Sequence, residues 1–189
     1  AEAGNINIKL MLDQYKDIET VFMCQKMNDE GENEETIKKY ASLSSRDNAR
    51  TPFPWHGEEG SGFSNVKPWI DYSPDNKFIN AEDELKDPNS VFYYYQKLIR
   101  LRKENPIIVY GSYKLLDEED SDIFSYEREY EGKKLLVVCS FAKEKVRYTL
   151  PDDYKDAEIL IGNYENVLKT DDKNIILNPY QAVVYLTKE

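Results

Sequence analysis

Hydrophobic residues recur with a helical period in the first half of the chain. A spacing of three to four residues runs through 14–30, 33–45 and 88–104, which predicts three helices there. Asp13 is placed to cap the first of these helices and Gly31 to end it.

The third predicted helix has the clearest end signals. Asp87 is placed to cap it, Pro88 takes the first helical position and Pro106 ends it. One side of the helix is apolar and is formed by Val91, Phe92, Tyr95, Leu98 and Ile99. Such a face has to be covered, so we expect it to pack against another part of the protein or against a second copy.

The segment 46–89 has no regular period. Its turn-forming residues are Pro52, Pro54, Gly57, Gly60, Gly62, Pro68, Pro74 and Pro88. A loop of this length is usually either functional or disordered. Trp55, Phe63 and Trp69 predict an ordered loop, because aromatic side chains order a loop by packing.

After Asn105 the apolar period changes to two, which predicts strands. We expect them near 107–116, 122–130, 133–141, 145–150, 157–162, 173–178 and 181–187. Glu131-Gly132 is predicted to form the hairpin turn between the second and third strands. Short strands at this spacing indicate an antiparallel β-sandwich. The predicted fold class is therefore α+β, with helices and a long loop in residues 1–105 and the sandwich in residues 106–189.

The charge balance excludes some classes of partner. The chain has 36 acidic and 25 basic side chains and a formal net charge of −11. Nucleic acids and anionic membrane surfaces both require a basic face, so we expect neither as a partner. The sequence has no apolar run near 18 residues and no signal-peptide pattern in its first residues, from which we expect a cytoplasmic protein.

No metal or cofactor is predicted. Cys24 and Cys139 lie far apart in apolar runs, which favours reduced, buried thiols over a disulfide or a metal cluster. His56 is the single histidine and has no partner residues at zinc spacing, while Glu58 and Glu59 are adjacent and are expected to point apart into solvent.

The most informative string is RDNARTPFPW, residues 46–55. Arg46 and Arg50 are four residues apart, and a guanidinium is a rigid fork of donors that suits carboxylates or pairs of sugar hydroxyls. From residue chemistry alone, an ion-pair cluster that anchors the loop is the favoured interpretation. Trp55 and Trp69 have two interpretations as well, since an indole can stack on a sugar ring or form the small core of its loop.

This string resembles the RDNxRTPMxW motif of oligo-1,6-glucosidases, dextran glucosidases and trehalose-6-phosphate hydrolases in glycoside hydrolase family 13. The segments DQYKDIET, SGFSNVKPWIDYSPDNKFINAEDELKDPNSVFYYYQKLIRLRKENPIIVYGSY and NPYQAVVYL resemble the same enzymes, so the likeness covers nearly the whole chain. Phe53-Pro54 departs from the commoner Met-Gln of the motif.

The resemblance implies a fold and a function. It implies that residues 1–105 are the end of a (β/α)8 barrel, with Ala1–Gly4 just past the eighth strand, and that residues 106–189 are the C-terminal sandwich called domain C. It also implies a parent enzyme that is an exo-acting, retaining α-glucosidase for α-1,6 or related bonds of short oligosaccharides.

The site residues carried over are few. The family's catalytic Asp, Glu and Asp lie in G-F-R-x-D and N-H-D types of motif that this sequence does not contain, so no catalytic residue is assigned. Arg50 is expected to hold the terminal glucose together with an Asp of the barrel. Arg46 ranks behind it and is expected to order the loop, and Trp55 is a third candidate for substrate binding.

Two alternatives stay open at this point. The chain could be a non-catalytic carbohydrate-binding or assembly module, or it could belong to a sucrose isomerase or another transglycosylase. The helix 88–104 would lie on the outside of the barrel, and its apolar face is expected to pack on domain C or to support a homo-oligomer.

Overall fold

The computed structural model describes residue 7 and residues 10–188, so the predicted start at Ala1–Gly4 lies outside the described residues. The chain divides into two compact units, Ala1–Ile99 and Arg100–Glu189. The division falls within a helix, α4, that begins at Val91 and ends at Glu104.

The first unit is helical and irregular, as its period predicts. Its α-helices are α1 (Ile18–Asp29), α2 (Glu34–Ser44), α3 (Ala81–Glu84) and the first part of α4. Its single-turn 3₁₀ helices are Leu12–Gln14, Arg46–Ala49, Glu59–Gly62 and Pro74–Lys77. A small core unites Leu10, Tyr15, Ala41 and Ile70.

Helix α1 begins four residues later than predicted. Asp13 lies in the 3₁₀ turn, and the extended backbone of Tyr15 and Asp17 separates that turn from the helix. Ile18 is 83% exposed, while Thr20 is buried. The period identified the helix but only part of its covered side, since Cys24 packs against the small core whereas Val21 and Phe22 are exposed. Gly31 follows the helix with a φ of 82°, as its predicted stop position requires.

Helix α2 follows its prediction closely. The Asn33 side chain accepts a hydrogen bond from the Thr36 amide at 2.9 Å and so caps the helix. Ile37 and Ala41 are buried on one side, whereas Leu43 is exposed.

Helix α4 begins at Val91, so the predicted start at Asp87 and Pro88 is wrong. Asp87 accepts a hydrogen bond from the Asn89 amide and forms a turn of its own before the helix. The Ser90 carbonyl accepts from the Tyr94 amide at 3.1 Å and begins the helical ladder. No residue of α4 is buried. Phe92, Tyr95, Leu98 and Ile99 of the predicted apolar face are all exposed.

The long loop is ordered, as predicted, but through backbone hydrogen bonds rather than through packing of Trp55, Phe63 and Trp69, which are exposed. The Ala81 amide donates to the Pro54 carbonyl at 2.9 Å and the Glu82 amide donates to the Trp55 carbonyl at 3.0 Å. The Trp55 amide donates to the Ser61 carbonyl at 2.8 Å. Pro54 and Ser61 are buried, so the segment is folded back on itself.

The second unit is an antiparallel β structure of two sheets. Its strands are β1 (Lys114–Leu116), β2 (Ile123–Tyr130), β3 (Lys133–Ser140), β4 (Val146–Thr149), β5 (Glu158–Gly162), β6 (Leu168–Lys169), β7 (Asn174–Leu177) and β8 (Ala182–Leu186). The sheet orders are β1-β2-β3-β8-β5 and β4-β7-β6. The predicted α+β class with an antiparallel sandwich is therefore confirmed.

The hairpin between β2 and β3 is confirmed. Glu131 has a φ of 49° and Gly132 a φ of 79°, and Tyr130 pairs with Lys133 on either side of them. Positive φ at both central residues is the requirement of a type I′ turn, which matches the twist of the strands.

One predicted strand begins later than expected, and one strand was not predicted. Residues Ile107–Tyr110 form a one-turn helix, α5, rather than the start of a strand. The Arg128 guanidinium ends this turn by donating to the carbonyls of Ile107 at 3.1 Å and Gly111 at 2.6 Å, a long-range contact that local period cannot reveal. The two-residue strand β6 is too short to produce a period and was missed.

Strand β3 is buried on both faces. Leu136 and Val138 belong to the core between the sheets, together with Val183 and Tyr185 of β8. Leu135 on the other face packs with Ile107 and Leu186. Phe141 lies past the end of β3 and is exposed.

The Tyr185 hydroxyl leads to a prediction about alkaline stability. It is buried and has no hydrogen-bond partner among the described residues, and burial raises the pKa of Tyr185 to about 12. Tyr185→Phe is expected to raise the free energy of unfolding by about 1 kcal/mol at pH 7, because it removes an unsatisfied group. The unfolded chain ionises near pH 10, so the folded form loses stability as the pH rises from about 10 to about 12, and the variant loses less over that range.

Urea unfolding followed by circular dichroism at pH 7 and pH 11 checks this prediction. Tyr148→Phe is the comparison, since burial also raises the pKa of Tyr148 to about 12 but its hydroxyl donates to Asp117 at 3.1 Å. Tyr148→Phe is expected to lower stability at pH 7 while it also flattens the alkaline slope. A loss of stability in Tyr185→Phe at pH 7 would contradict the interpretation.

Candidate functional site

Asp47 is the buried centre of the segment that contains both motif arginines. It has an exposed fraction of 0%. Its Oδ2 accepts hydrogen bonds from the backbone amides of Lys16 at 2.6 Å and Asp17 at 3.0 Å, and its Oδ1 accepts from Arg50 Nη1 at 3.0 Å. One carboxylate therefore joins the motif to the extended segment that precedes α1.

The local backbone positions Asp47 for this role. Ser45 is extended and its hydroxyl accepts from the Asp47 amide at 3.2 Å, which caps the 3₁₀ turn Arg46–Ala49. Asn48 Nδ2 donates to the Ser42 carbonyl at 3.0 Å and ties the same turn to the end of α2. The turn is thus held at several points, and Asp47 faces inward.

Arg50 combines a fixed position with an accessible guanidinium. Its side chain remains 42% exposed although it forms an ion pair with the fully buried Asp47. A guanidinium has five N–H donors, and the described contact with Asp47 uses Nη1 alone. A cation that is oriented in this way can hold a carboxylate or a pair of hydroxyls without first being ordered.

Arg46 is bound elsewhere. Its Nη2 donates to Glu19 Oε2 at 2.8 Å, and the two side chains are 62% and 72% exposed. Its backbone amide lies 3.4 Å from Asp17 Oδ2. The hydroxyl of Thr20 donates to the same oxygen at 2.7 Å and lowers the pKa of Asp17. Arg46 therefore helps to connect its turn to α1, and the structure places its guanidinium on an exposed ion pair rather than beside Arg50.

Trp55 is exposed rather than part of a loop core. Its indole is 57% exposed and contacts the Phe53 ring edge-on, with ring centroids 4.7 Å apart. Trp69 is 62% exposed and lies elsewhere in the loop. Both indoles are therefore largely accessible to solvent, and their exposure does not support the interpretation that they form a small core of the loop.

The contacts of His56, Glu58, Glu59 and the two cysteines do not indicate a catalytic or metal-binding role. His56 Nδ1 accepts a hydrogen bond from the Glu58 amide at 3.3 Å, and Glu58 and Glu59 are exposed as predicted. No group of three or more potential metal-binding side chains occurs in the part of the chain that the structure describes. Cys24 and Cys139 are free and half-buried, and burial raises the pKa of both thiols.

Sequence reasoning missed the importance of Asp47. The available signal was its position between two arginines in a segment rich in turn residues. The pairing itself was not predictable, because the partners at Lys16 and Asp17 are 31 and 30 residues away. The ion pair that the residue chemistry favours is present between Arg50 and Asp47, and it leaves the Arg50 guanidinium accessible. A role of Arg50 in sugar binding stays a prediction.

More than half of the chain matches a known enzyme family. Residues 1–111 match the family described as alpha amylase, catalytic domain. The chain belongs to the α-amylase family. In this α-amylase family chain, residues 123–184 also match the C-terminal domain of the alpha-amylase SusG.

The chain is similar to glucosidases and to a sugar isomerase of this family. The oligo-1,6-glucosidase of Bacillus cereus is 42% identical over 191 residues, which cover 99% of this chain and 34% of that protein. The crystal structure of trehalose-6-phosphate hydrolase from Bacillus licheniformis is 40% identical with a TM-score of 0.88, over 99% of this chain and 35% of that one. Isomaltulose synthase from Protaminobacter rubrum is 34% identical with a TM-score of 0.88, over 100% and 34%.

These matches confirm the predicted resemblance to glycoside hydrolase family 13 enzymes. They also show that the resemblance covers only part of each relative. The α-amylase family chain spans about a third of the length of the relatives that it matches, 34% for the Bacillus cereus protein. None of the described helices is long and apolar enough to cross a membrane.

Proposed function

We propose that this chain is the C-terminal part of an exo-acting, retaining α-glucosidase that cleaves α-1,6 or related bonds in short oligosaccharides. Residues 1–105 would complete the catalytic barrel and residues 106–189 would form domain C. The chain alone would not hydrolyse these bonds. The free, half-buried thiols Cys24 and Cys139 are in keeping with a cytoplasmic enzyme.

The anchored guanidinium of Arg50 is the observation that carries this proposal. Asp47 fixes it from the buried side, and the exposed side can hold hydroxyls of the terminal glucose together with a barrel carboxylate. A preoriented donor fork loses little entropy when it binds. In the complete barrel, Arg50 and the carboxylate would close the pocket beyond the first sugar. Arg46 is the weaker candidate because its partner Glu19 is itself exposed, so no buried group fixes the Arg46 guanidinium.

A chimera tests the role of Arg50. The matching third of the Bacillus cereus oligo-1,6-glucosidase is replaced by this chain, and hydrolysis of isomaltose and of an aryl α-glucoside is measured. Arg50→Ala is expected to lower kcat/KM by roughly 10–100-fold, because it removes charge-assisted hydrogen bonds to the substrate. Arg50→Lys is expected to restore only part of the activity, since a lysine cannot form the same fork.

The matched control is Arg147→Ala, which removes another exposed arginine whose Nη2 lies 3.9 Å from Asp171. It is expected to leave both rates unchanged. Full activity in the Arg50→Ala chimera would refute the assignment. Turnover by the 189-residue chain alone would refute the proposal that it is inactive by itself.

The same chimera separates the alternatives. Isomaltulose or trehalulose formed from sucrose would favour a sucrose isomerase, which the similarity to isomaltulose synthase supports. Binding of glucose without turnover in any chimera would favour a carbohydrate-binding or assembly module. The exposed face of α4, with Phe92 and Tyr95, supports the further proposal of a homo-oligomer, and a monomer in analytical ultracentrifugation would refute it.

A further inference from the structure

A cleft of about 260 Å³ lies in the first unit, beside the segment that Asp47 anchors. Leu10 and Ile70 supply its apolar lining, and both are buried in the small core of this unit. Trp69 also lines the cleft, and its indole is 62% exposed. The Trp69 ring lies next to the packed core and is accessible to solvent, so a ligand in the cleft can stack on it.

Hydrogen-bonding groups in this cleft are already positioned. Gln14 Nε2 donates to Asp71 Oδ2 at 3.0 Å, and Gln14 Oε1 accepts from the Met11 amide at 2.8 Å. The amide of Gln14 is therefore held at both ends, and it fixes the Asp71 carboxylate in turn. Lys67 Nζ lies 3.8 Å from Asp71 Oδ1 and adds a mobile donor at the edge.

The charges of the lining favour a neutral ligand. Two cations, Lys16 and Lys67, are matched by two anions, Asp13 and Asp71. A phosphate site needs a local excess of positive charge or an arginine fork, and this lining has neither. An indole with a few fixed amide and carboxylate groups instead suits a pyranose, whose C–H face is apolar and whose hydroxyls lie around its edge.

The other clefts do not combine these properties. A cleft of about 410 Å³ in the second unit is lined by Asp117, Asp152 and Lys173, but its aromatic residue, Tyr148, is buried. A cleft of about 230 Å³ near His56 is lined by Phe63, Ser64 and Asn65 and has no indole.

We propose that this cleft, with Trp69 as its platform and Gln14 and Asp71 as its hydrogen-bonding pair, binds a neutral glucosyl unit of an oligosaccharide. The inference rests on the proposed function, and it adds a second sugar-binding position to that of Arg50. The two are connected through Asp47, which accepts from the Lys16 amide on one side and from Arg50 on the other. One anchored segment thus holds both positions in place.

The two tryptophans allow a direct test on the 189-residue chain. The sequence contains Trp55 and Trp69 only, so its ¹H–¹⁵N spectrum has two indole signals, which Trp55→Phe and Trp69→Phe assign. Titration with isomaltose is expected to move the Trp69 signal saturably, with a Kd on the order of 1–10 mM.

Three variants measure the contacts by isothermal titration with isomaltose. Trp69→Leu is expected to raise the Kd at least about tenfold. Gln14→Ala is expected to raise it about three- to tenfold. Phe78→Leu removes an exposed aromatic ring of the first unit that does not line the cleft and is the matched control, with an unchanged Kd expected.

The outcomes separate this inference from the proposed function. A Trp69 signal that stays fixed up to about 100 mM isomaltose would overturn the cleft as a sugar site, whatever the chimera shows for Arg50. Movement of Trp69 with inorganic phosphate but not with isomaltose would also overturn it, because the cleft would then be an anion site. A saturable Trp69 response in a chain whose Arg50→Ala chimera keeps full activity would support the cleft and refute the role of Arg50.

Discussion

Replacing Asp47 with alanine is expected to lower the free energy of unfolding of the first unit by about 3–5 kcal/mol. The change leaves the amides of Lys16 and Asp17 without their acceptor and leaves Arg50 without its anchor. Unsatisfied buried donors account for most of the loss, because Arg50 is partly solvated and its share is screened. Both tryptophans lie in the first unit, so their fluorescence during urea unfolding reports on this unit.

Two further variants control this experiment. Glu19→Ala removes the exposed partner of Arg46, and we expect its unfolding curve to overlay that of the unsubstituted chain. Asp47→Asn keeps the size of the side chain and one acceptor oxygen. Its free energy of unfolding is expected to lie between those of Asp47→Ala and Glu19→Ala. An Asp47→Ala curve that matches Glu19→Ala would show that the buried carboxylate is not an anchor.

Replacing Tyr154 with alanine is expected to lower the free energy of unfolding of the second unit by about 3–5 kcal/mol. Its side chain is fully buried among the residues between the two sheets, and its hydroxyl donates to Glu127 Oε2 at 2.9 Å. Burial, together with the neighbouring Glu127, raises the pKa of Tyr154 well above its usual range. The substitution removes a large ring, and it leaves both a cavity and a Glu127 carboxylate that has lost this donor.

The measurement is urea unfolding followed by far-ultraviolet circular dichroism at a wavelength that reports on β-sheet. Tyr154→Phe keeps the ring and is expected to cost about 1–2 kcal/mol, which separates the packing contribution from the hydrogen bond. Tyr110→Ala changes a tyrosine that is 72% exposed and is expected to have little effect. Equal losses for Tyr154→Ala and Tyr110→Ala would contradict the assigned position of the core.

The elements that could be predicted are those with local causes. The turn at Glu131-Gly132 follows from the residues that tolerate positive φ, and α2 follows from Asn33 and its apolar period. The one-turn helix at Ile107 could not be predicted, because Arg128, 21 residues away, satisfies its carbonyl. Local patterns report which conformations a segment prefers, whereas distant side chains decide where a marginal segment ends.

In the candidate site too, some residues could be predicted from the sequence and others depend on distant contacts. Arg50 could be singled out because its motif resembles that of known glucosidases. The anchor at Asp47 depends on a contact with Lys16, and the cleft at Trp69 depends on Gln14 and Asp71, which are 57 residues apart. Such pairs exist only after folding, so no pattern along the chain could identify them.

The edges of the larger sheet limit how copies of this chain can associate. Its outer strands are β1, with three residues, and β5, whose register is irregular between Ile159 and Ile161. A short or bulged edge is a poor template for an added strand. Unwanted growth of this sheet into fibrils is therefore disfavoured, and we expect concentrated solutions to stay free of thioflavin-positive aggregates as long as the second unit is folded.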